Sequence, residues 1–364
     1  MSRGKIYLMV CKICKKGKIL AKFLGVCKDC ILERWEEAKN FVEIAHQKSR
    51  KEFFLPEKVP KTKNGIKCNL CSNECQIGEG EFGFCGLRKN ENGKLISFIS
   101  REKAILEYYY DPIPTNCVAA PWCKSETLSV LKAPLSGAKE GYFNLAVFMG
   151  ACNFNCLFCQ NWHFKFLTRN LSPMVSIEEL LKAINEKVHC VCFFGGDPGP
   201  QLPFIIEFSK RARKIKKDLR ICLETNGIEN KKMLEEIAKI SFESNGIIKF
   251  DLKFFDEKLS IAISGVSNKR AFENFENLAK IDSKKLVAST LLIPGYVDEE
   301  QVFKIAKFIS SIDPQIPYNL LAFYPCFKFS DLPTTSFDQA QACFESAKKA
   351  GLKNVRIGNV HLLS

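Results

Sequence analysis

Short apolar runs alternate with longer amphipathic stretches through the carboxyl-terminal part of the chain. The runs LAVFMG, CVCFFG, LRICLET, GIIKFDLK, LVASTLLIP and YNLLAFYP are separated by segments such as SIEELLKAINEK and NKKMLEEIAKI, whose apolar residues recur at helical intervals. Strands that alternate with helices predict a parallel sheet. Six such units predict an α/β fold, a partial (βα)6 TIM-type barrel, with chemistry at the carboxyl ends of the strands.

The amino-terminal part predicts smaller Cys-rich, metal-binding modules. From Leu32 to about Gln47 the pattern predicts an amphipathic helix, with His46 on its surface, and LPEKVPKTKNG predicts a linker. The predicted domains are a zinc-ribbon-like module of four cysteines at 1–35, a helix and linker at 36–65, a Cys-rich loop module with a second metal centre at 66–135, and the barrel at 136–364.

Composition narrows the class of protein. The chain has 364 residues, 46% of them hydrophobic, which is enough for a full core, and its formal net charge is +14. Because the basic residues are scattered, we favour a Lys-rich surface over nucleic-acid binding, which stays an alternative. No segment has the pattern of a secretory signal or a membrane span, so we expect a cytoplasmic chain without membrane contact. Its 18 cysteines therefore predict metal ligation or thiol chemistry.

Two sets of four cysteines lie ahead of the barrel. The first forms two CxxC pairs, which predict one tetrahedral ion, with zinc favoured over iron. The second lies in the glycine-rich KCNLCSNECQIGEGEFGFCGLR and predicts a second iron-sulfur cluster or zinc. The first set is Cys11, Cys14, Cys27 and Cys30, and the second is Cys68, Cys71, Cys75 and Cys85. Cys117 and Cys123 are either extra ligands or a buried pair.

The sharpest motif is ACNFNCLFCQNW, which follows the first barrel strand and contains Cys152, Cys156 and Cys159. A four-iron cubane with three thiolate ligands keeps one iron open to chelate a small molecule. The alternative is that the three cysteines form one stripe of a helix. Asn153, Asn155 and the aromatic residues interrupt any such amphipathic pattern, so we favour the cluster.

The CxxxCxxC spacing resembles the signature of the radical S-adenosylmethionine (SAM) superfamily. VHCVCFFGGDPGPQ resembles the strand and GGEP motif that hold the methionine amino group, with Asp in place of the commoner Glu. LRICLETNG resembles the strand that meets the ribose, and KFDLKFFDE is similar to the DLK segment of pyruvate formate-lyase activating enzyme. The segment from Cys68 to Cys85 and the closing segment resemble proteins of the AmmeMemoRadiSam type. The SAM contacts that these motifs imply are Gly195, Gly196, Asp197, Pro198, Glu224, Asn226, Asp251 and Lys253.

The resemblance implies an enzyme that uses a [4Fe-4S] cluster and SAM, with an electron donor such as ferredoxin or flavodoxin. Reductive cleavage of SAM would release a 5'-deoxyadenosyl radical that abstracts hydrogen from an unidentified substrate, a protein or a small molecule, with glycyl-radical activation as one version. Phe158 is expected to pack on the adenine and Asn161 to form a hydrogen bond near the cluster. Cys326 is a candidate for substrate contact, whereas Cys190, Cys192 and Cys222 are expected to be buried structural thiols.

Two alternative functions remain open. One is an RNA- or protein-modifying radical enzyme in which the zinc ribbon recognises the substrate. The other is a radical oxidoreductase that uses the second cysteine set as an auxiliary cluster.

Overall fold

A computed structural model of the protein describes residues 8–113, 117–123 and 142–364. Part of the predicted 66–135 module, at 114–116 and 124–135, lies outside the described residues. The strands are β1 (Met9–Val10), β2 (Gly17–Lys18), β3 (Ile66–Lys67), β4 (Gln76–Ile77), β5 (Arg88–Glu91), β6 (Lys94–Ser97), β7 (Lys103–Pro112), β8 (Phe143–Met149), β9 (Met174–Ser176), β10 (Val188–Gly195), β11 (Arg220–Thr225), β12 (Ile248–Asp251), β13 (Leu286–Leu292), β14 (Tyr318–Ala322) and β15 (Val355–Gly358). The helices are α1 (Lys28–Glu33), α2 (Trp35–Lys51), α3 (Phe164–Asn170), α4 (Ile177–Lys182), α5 (Leu202–Ile215), α6 (Lys231–Glu243), α7 (Glu257–Ser264), α8 (Lys269–Asp282), α9 (Glu299–Ile312) and α10 (Phe337–Lys349).

One sheet of nine strands, in the order β15-β14-β13-β12-β11-β10-β8-β7-β9, forms the body of the protein. All six predicted barrel strands are present and pair in parallel. The predicted α/β partial barrel is therefore confirmed. The short strand β15 extends the parallel part, and β7 pairs antiparallel with β8. Because β7 belongs to the barrel sheet, the sheet crosses the predicted boundary at 135, and the domain division stays a prediction.

Amphipathic helices cover the sheet because each buries one apolar stripe. Helix α6 follows Asn230, whose side chain caps the backbone N–H groups of Lys232 and Met233, and it buries Leu234 and Ile237. Aromatic edge contacts such as Phe193 with Phe208 join strands to helices. No described helix has the length and apolar character needed to cross a membrane.

Both cysteine modules pack on the barrel near the carboxyl ends of its strands. The hydroxyl of Tyr296, in the loop after β13, donates to the Val26 carbonyl at 3.0 Å and accepts from the Ala21 N–H at 3.1 Å. In the second module, the Ser72 N–H donates to the carbonyl of Ile228, just beyond β11, at 2.9 Å. These contacts place the cysteines of both modules close to the expected active face.

Helix α2 lies in the predicted place, but the prediction of a surface position for His46 was wrong. Its imidazole is buried against α7, with Nε2 3.1 Å from the Ala262 carbonyl and Nδ1 2.8 Å from Asn155 Nδ2. Burial lowers the pKa of His46 to about 4.

Candidate active site and metal centres

Cys152, Cys156 and Cys159 lie in a loop that follows β8 and ends where α3 begins at Phe164. The alternative of a helical stripe is therefore wrong. The loop is held against the end of α7, because Asn155 N–H donates to the Ser264 carbonyl at 2.8 Å. The three thiols face one buried region.

The spacing of the sulfur atoms distinguishes this loop from a single-ion site. Among the described residues, the Cys11 set is the group of metal-ligating side chains whose atoms all lie within 4.8 Å of one another. The loop cysteines do not form such a group, although burial and the charges of Asp197 and Cys156 raise the pKa of Cys152. A wider separation fits a cubane, since each thiolate binds a different iron.

Two buried cations near the three-cysteine loop indicate that the loop holds an anionic group. Lys165 is fully buried and Arg50 is 1% exposed, and no salt bridge joins either to a carboxylate among the described residues. Lys165 Nζ donates to Asn155 Oδ1 at 2.6 Å, and burial lowers its pKa to about 7. The charge of Cys152 acts on both cations. Because a buried charge needs a partner of opposite sign, thiolates bound to a cluster fit this pocket.

Polar groups also approach the sulfur atoms of the loop. The Phe154 N–H donates to Cys152 Sγ at 3.3 Å, and Ser264 Oγ lies 3.3 Å from Cys156 Sγ. Hydrogen bonds of this kind stabilise thiolates and tune the potentials of iron-sulfur clusters.

A cavity of about 370 Å³ opens beside the loop. This volume suits a small molecule. All three loop cysteines line it, together with every predicted SAM contact except Pro198. Those contacts are Phe158, Asn161, Gly195, Gly196, Asp197, Glu224, Asn226, Asp251 and Lys253. Pro198 is buried and begins the turn that leads into α5.

The GGDP segment is locked to the cysteine loop by its backbone. The Asp197 N–H donates to the Ala151 carbonyl at 2.8 Å, and Asn161 Nδ2 donates to the Gly195 carbonyl at 3.0 Å. A Cβ at Gly196 would lie 2.3 Å from the Ala151 oxygen, so only glycine fits there. The pair of glycines thus allows the strand end to approach the cluster loop.

Both carboxylate oxygens of Asp197 accept hydrogen bonds from the protein backbone. Its Oδ1 accepts the Gly199 N–H at 2.7 Å and its Oδ2 accepts the Asn226 N–H at 2.8 Å. Beside it lies the fully buried Glu229, whose pKa is raised well above its ordinary value by burial and by the charge of Asp197. Burial and the charge of Asp197 therefore favour the protonated form of Glu229, and Asp197 joins the GGDP turn to the ETNG turn.

Asp251 and Lys253 form an ion pair of 2.7 Å on the cavity wall. Ser289 Oγ donates to the other oxygen of Asp251 at 2.6 Å. Burial raises the pKa of Asp251, but Lys253 outweighs it and holds that pKa below its usual value. The pair presents two fixed, opposite charges to the cavity.

Cys326 lies next to the cysteine loop rather than on the cavity wall. Its Sγ is 3.6 Å from the carbonyl oxygen of Cys159, and it is not among the residues that line the cavity. Its predicted contact with substrate stays a prediction.

The Cys11 set has the geometry of one tetrahedral ion. Cys11 Sγ and Cys30 Sγ are 3.8 Å apart, and Cys14 Sγ and Cys27 Sγ are 3.9 Å apart. Thiolates at about 2.3 Å from one zinc occupy tetrahedral corners about 3.8 Å apart. Burial raises the pKa of Cys11, but backbone N–H groups of Cys14, Cys27 and Ile13 outweigh burial and lower that pKa to about 6. These residues fit a single thiophilic ion.

The cysteines of the second set lie within electrostatic reach of one another. Burial and then the charges of Cys85, Cys75 and Cys68 raise the pKa of Cys71. The four sulfurs nevertheless do not gather at single-ion distances among the described residues. The charges of Cys75 and Cys85 also act on Arg50, as does that of Cys152. Arg50 thus lies within electrostatic reach of the second set and the cluster loop.

Sequence reasoning missed Arg50, Lys165 and Glu229. Glu229 lies two positions after the ETNG motif, and Lys165 interrupts the aromatic run HFKFL just after the cysteines. A charged residue inside an apolar context so close to a motif was the available signal. Arg50 carried no such signal, because basic residues are ordinary at the end of an amphipathic helix.

Comparisons with known proteins agree with this geometry. Residues 146–309 match the profile of the Radical SAM superfamily. An uncharacterized protein of Methanocaldococcus jannaschii is 26% identical over 302 residues, covering 82% of each chain. A candidate glycyl-radical enzyme activating enzyme of the same organism is 30% identical over 181 residues, covering 47% of this chain and 64% of the relative. The pyruvate formate-lyase-activating enzyme of Staphylococcus epidermidis is 22% identical over 191 residues, covering 49% of this chain and 73% of the relative. Residues 146–309 of this chain therefore form a domain of the Radical SAM superfamily, and named relatives of the chain are activating enzymes.

Proposed function

We propose that the chain binds a [4Fe-4S] cluster through Cys152, Cys156 and Cys159 and cleaves SAM reductively in the adjoining cavity. The observation that carries the proposal is the meeting of the three-cysteine loop, the GGDP turn, the ETNG turn and the Asp251–Lys253 pair around one space. Cys152, Cys156 and Cys159 would hold the cluster, which would supply the one-electron chemistry for cleaving SAM and so for abstracting hydrogen from the substrate.

The protein's own residues position SAM and exclude water. Asp251 and Lys253 offer charges to its amino and carboxylate groups, and the buried Phe158 offers a flat apolar surface. Lys165 and Arg50 offset the negative charge of the thiolates. This division of tasks leaves the electron transfer to the cofactor and orientation to the protein.

The relatives indicate a class of substrate but not its identity. Two relatives are named as activating enzymes, so we propose hydrogen abstraction from a protein, with glycyl-radical activation as one version. An external donor such as ferredoxin or flavodoxin would reduce the cluster.

We further propose that Cys68, Cys71, Cys75 and Cys85 bind an auxiliary iron-sulfur cluster. Their separation exceeds that of the Cys11 set, where one zinc fits. Replacing Cys71 by Ala should then remove about four irons per chain and no zinc, as measured by elemental analysis. A loss of zinc instead of iron would contradict the proposal.

The direct test compares deoxyadenosine formation by reconstituted wild type, Cys156→Ala and Cys343→Ala under dithionite. Cys343 is a buried thiol on α10, outside the cavity, and so is a matched control. We expect Cys343→Ala to retain activity and Cys156→Ala to fall to background. Equal rates in all three proteins would overturn the central proposal.

A further inference from the structure

Five cysteines surround the inner, amino-terminal end of the barrel. Cys192 on β10 and Cys222 on β11 occupy paired positions in register, and Cys190 lies two residues earlier on the same side of β10. Cys117 and Cys123 flank the short turn Ala120–Trp122, which packs against Ile247 and Val287 at the starts of β12 and β13. We call these five residues the floor cysteines.

Cys192 and Cys222 are neighbours in register, and the other four floor cysteines all lie within electrostatic reach of Cys190. Burial raises the pKa of Cys190 well above its ordinary value, and the charges of the other four floor cysteines raise it further. They form no disulfide. Among the described residues, no three of them gather at the single-ion distances of the Cys11 set. A single ion therefore does not fit them, and a centre with several metal ions is the arrangement to consider.

A buried lysine lies among these thiols. Lys249 on β12 is 1% exposed, and its Nζ is 3.0 Å from Cys192 Sγ and 3.3 Å from Cys117 Sγ. The charge of Glu224 also acts on Lys249, but no salt bridge joins the two. Neutral thiols are weak acceptors for a buried ammonium group, whereas metal-bound thiolates carry the negative charge that it requires.

The floor and the cluster loop share one chamber. Cys117, Cys192 and Lys249 line the same cavity as Cys152, Cys156 and Cys159. A centre at the floor would therefore face the space in which SAM binds. On the floor, the Asn319 amide nitrogen is also buried and has no partner among the described residues, while Trp122 donates to its oxygen at 3.4 Å.

We propose that the floor cysteines bind an iron-sulfur cluster, with Cys117, Cys192 and Cys222 as ligands and Cys123 or Cys190 completing the set. This site is distinct from the three-cysteine loop and from both amino-terminal sets. It goes beyond the proposed function, because it places a second inorganic centre opposite the site of SAM cleavage within one cavity. Lys249 is then a positioning residue that donates to the cluster's thiolates.

The test measures iron and sulfide per chain, with electron paramagnetic resonance, in anaerobically prepared full-length variants. One variant is Cys192→Ala with Cys222→Ala, and another is Cys117→Ser with Cys123→Ser, which leaves the barrel strands intact. Cys343→Ala is the matched control. We expect both floor variants to lose about two to four irons per chain, together with a signal that does not respond to SAM, while the SAM-responsive signal remains.

The proposal is overturned if the Cys117→Ser, Cys123→Ser protein is folded by circular dichroism and retains the iron, sulfide and spectra of the control. Loss of zinc rather than iron would overturn it as well. Failure of the proposed function has a different signature, because wild type would then show no SAM-responsive signal, whatever the floor variants contain.

Discussion

Asn73 donates a hydrogen bond from its side-chain amide to the backbone carbonyl of Asn153, at 2.8 Å. Asn73 lies between Cys71 and Cys75, and Asn153 follows Cys152. The loop of the second cysteine set is thus joined directly to the loop that we assign to the catalytic cluster. The Asn153 side chain continues this connection by accepting from Asn226 Nδ2 at 2.6 Å.

Replacing Asn73 by Ala should destabilise the protein by about 1–3 kcal/mol, because a buried carbonyl loses its donor. Urea unfolding measures the change. Asn69→Ala, an exposed asparagine in the same loop, is the control and should have little effect. Equal stabilities for the two variants would show that the Asn73 contact contributes nothing.

Asp197 and Glu229 should respond differently to amide substitution. Because burial and the charge of Asp197 favour the protonated form of Glu229, Glu229→Gln should bind SAM with nearly wild-type affinity. Asp197→Asn removes the anionic acceptor of two backbone N–H groups, so SAM binding should weaken by about 1–3 kcal/mol. Calorimetry of the reconstituted variants measures both affinities. The reverse order of affinities would contradict the assignment of the proton.

Lys165→Met should shift the midpoint potential of the catalytic cluster to more negative values. Reduction adds negative charge, which the buried ammonium group stabilises by about 1–2 kcal/mol at an effective dielectric constant of about 20. A redox titration followed by electron paramagnetic resonance measures the shift. Arg169→Met, an exposed change on the same helix, should leave the potential unchanged. Identical midpoint potentials in both variants would show that the charge of Lys165 does not affect the cluster.

His46 should make stability depend on pH. Its pKa is about 4 in the folded protein, against an ordinary value of 6.5 for an exposed imidazole, so the unfolded chain takes up a proton first as the pH falls. The free energy of unfolding should therefore decrease between pH 6.5 and pH 4, by about 3 kcal/mol in all, and this contribution should be constant above pH 6.5.

His46→Gln should flatten that part of the pH profile, measured by urea unfolding at several pH values. The exposed His361→Gln is the control. A profile for His46→Gln that parallels wild type between pH 4 and pH 6.5 would contradict the burial of a neutral imidazole.

Removal of the ion from the Cys11 set should release about one zinc per chain and leave the iron content unchanged. The free energy of unfolding should fall, because the ion holds the ribbon together. Elemental analysis after chelation measures the first effect and thermal unfolding the second. Cys14→Ser should reproduce both effects, and a ribbon that is isolated with iron would contradict the choice of metal.

Local pattern was sufficient to predict the strands that form the barrel and the motifs at their ends. Apolar runs such as LVASTLLIP correspond to β13, and every motif that followed such a run lines the cavity or borders it. β7 and β15 were not predicted. β7 contains three consecutive exposed tyrosines, so its apolar and polar residues do not alternate as a strand pattern requires. The four residues of β15 are too few to show a periodic pattern.

Tertiary contacts account for what the sequence did not predict. Long basic residues are ordinarily exposed, so nothing in the helix pattern indicated that Arg50 would be buried beneath two cysteine loops. His46 looked like a surface residue because the pattern of α2 reveals one apolar face, whereas α7 covers a second. Lys249 lies within the apolar strand GIIKFDLK, and its contacts with Cys117 and Cys192 join segments far apart in sequence.

The Tyr296 hydroxyl bridges two turns of the amino-terminal ribbon from a loop that follows the strand carrying Leu291, a residue of the cavity wall. While the ribbon keeps its ion, that loop cannot swing outward without breaking both bonds. The ion of the Cys11 set would then help to fix the position of the loop that follows β13. Loss of the ion would weaken the support that both hydrogen bonds give to that loop, although the ion belongs to a cysteine set separate from the three-cysteine loop.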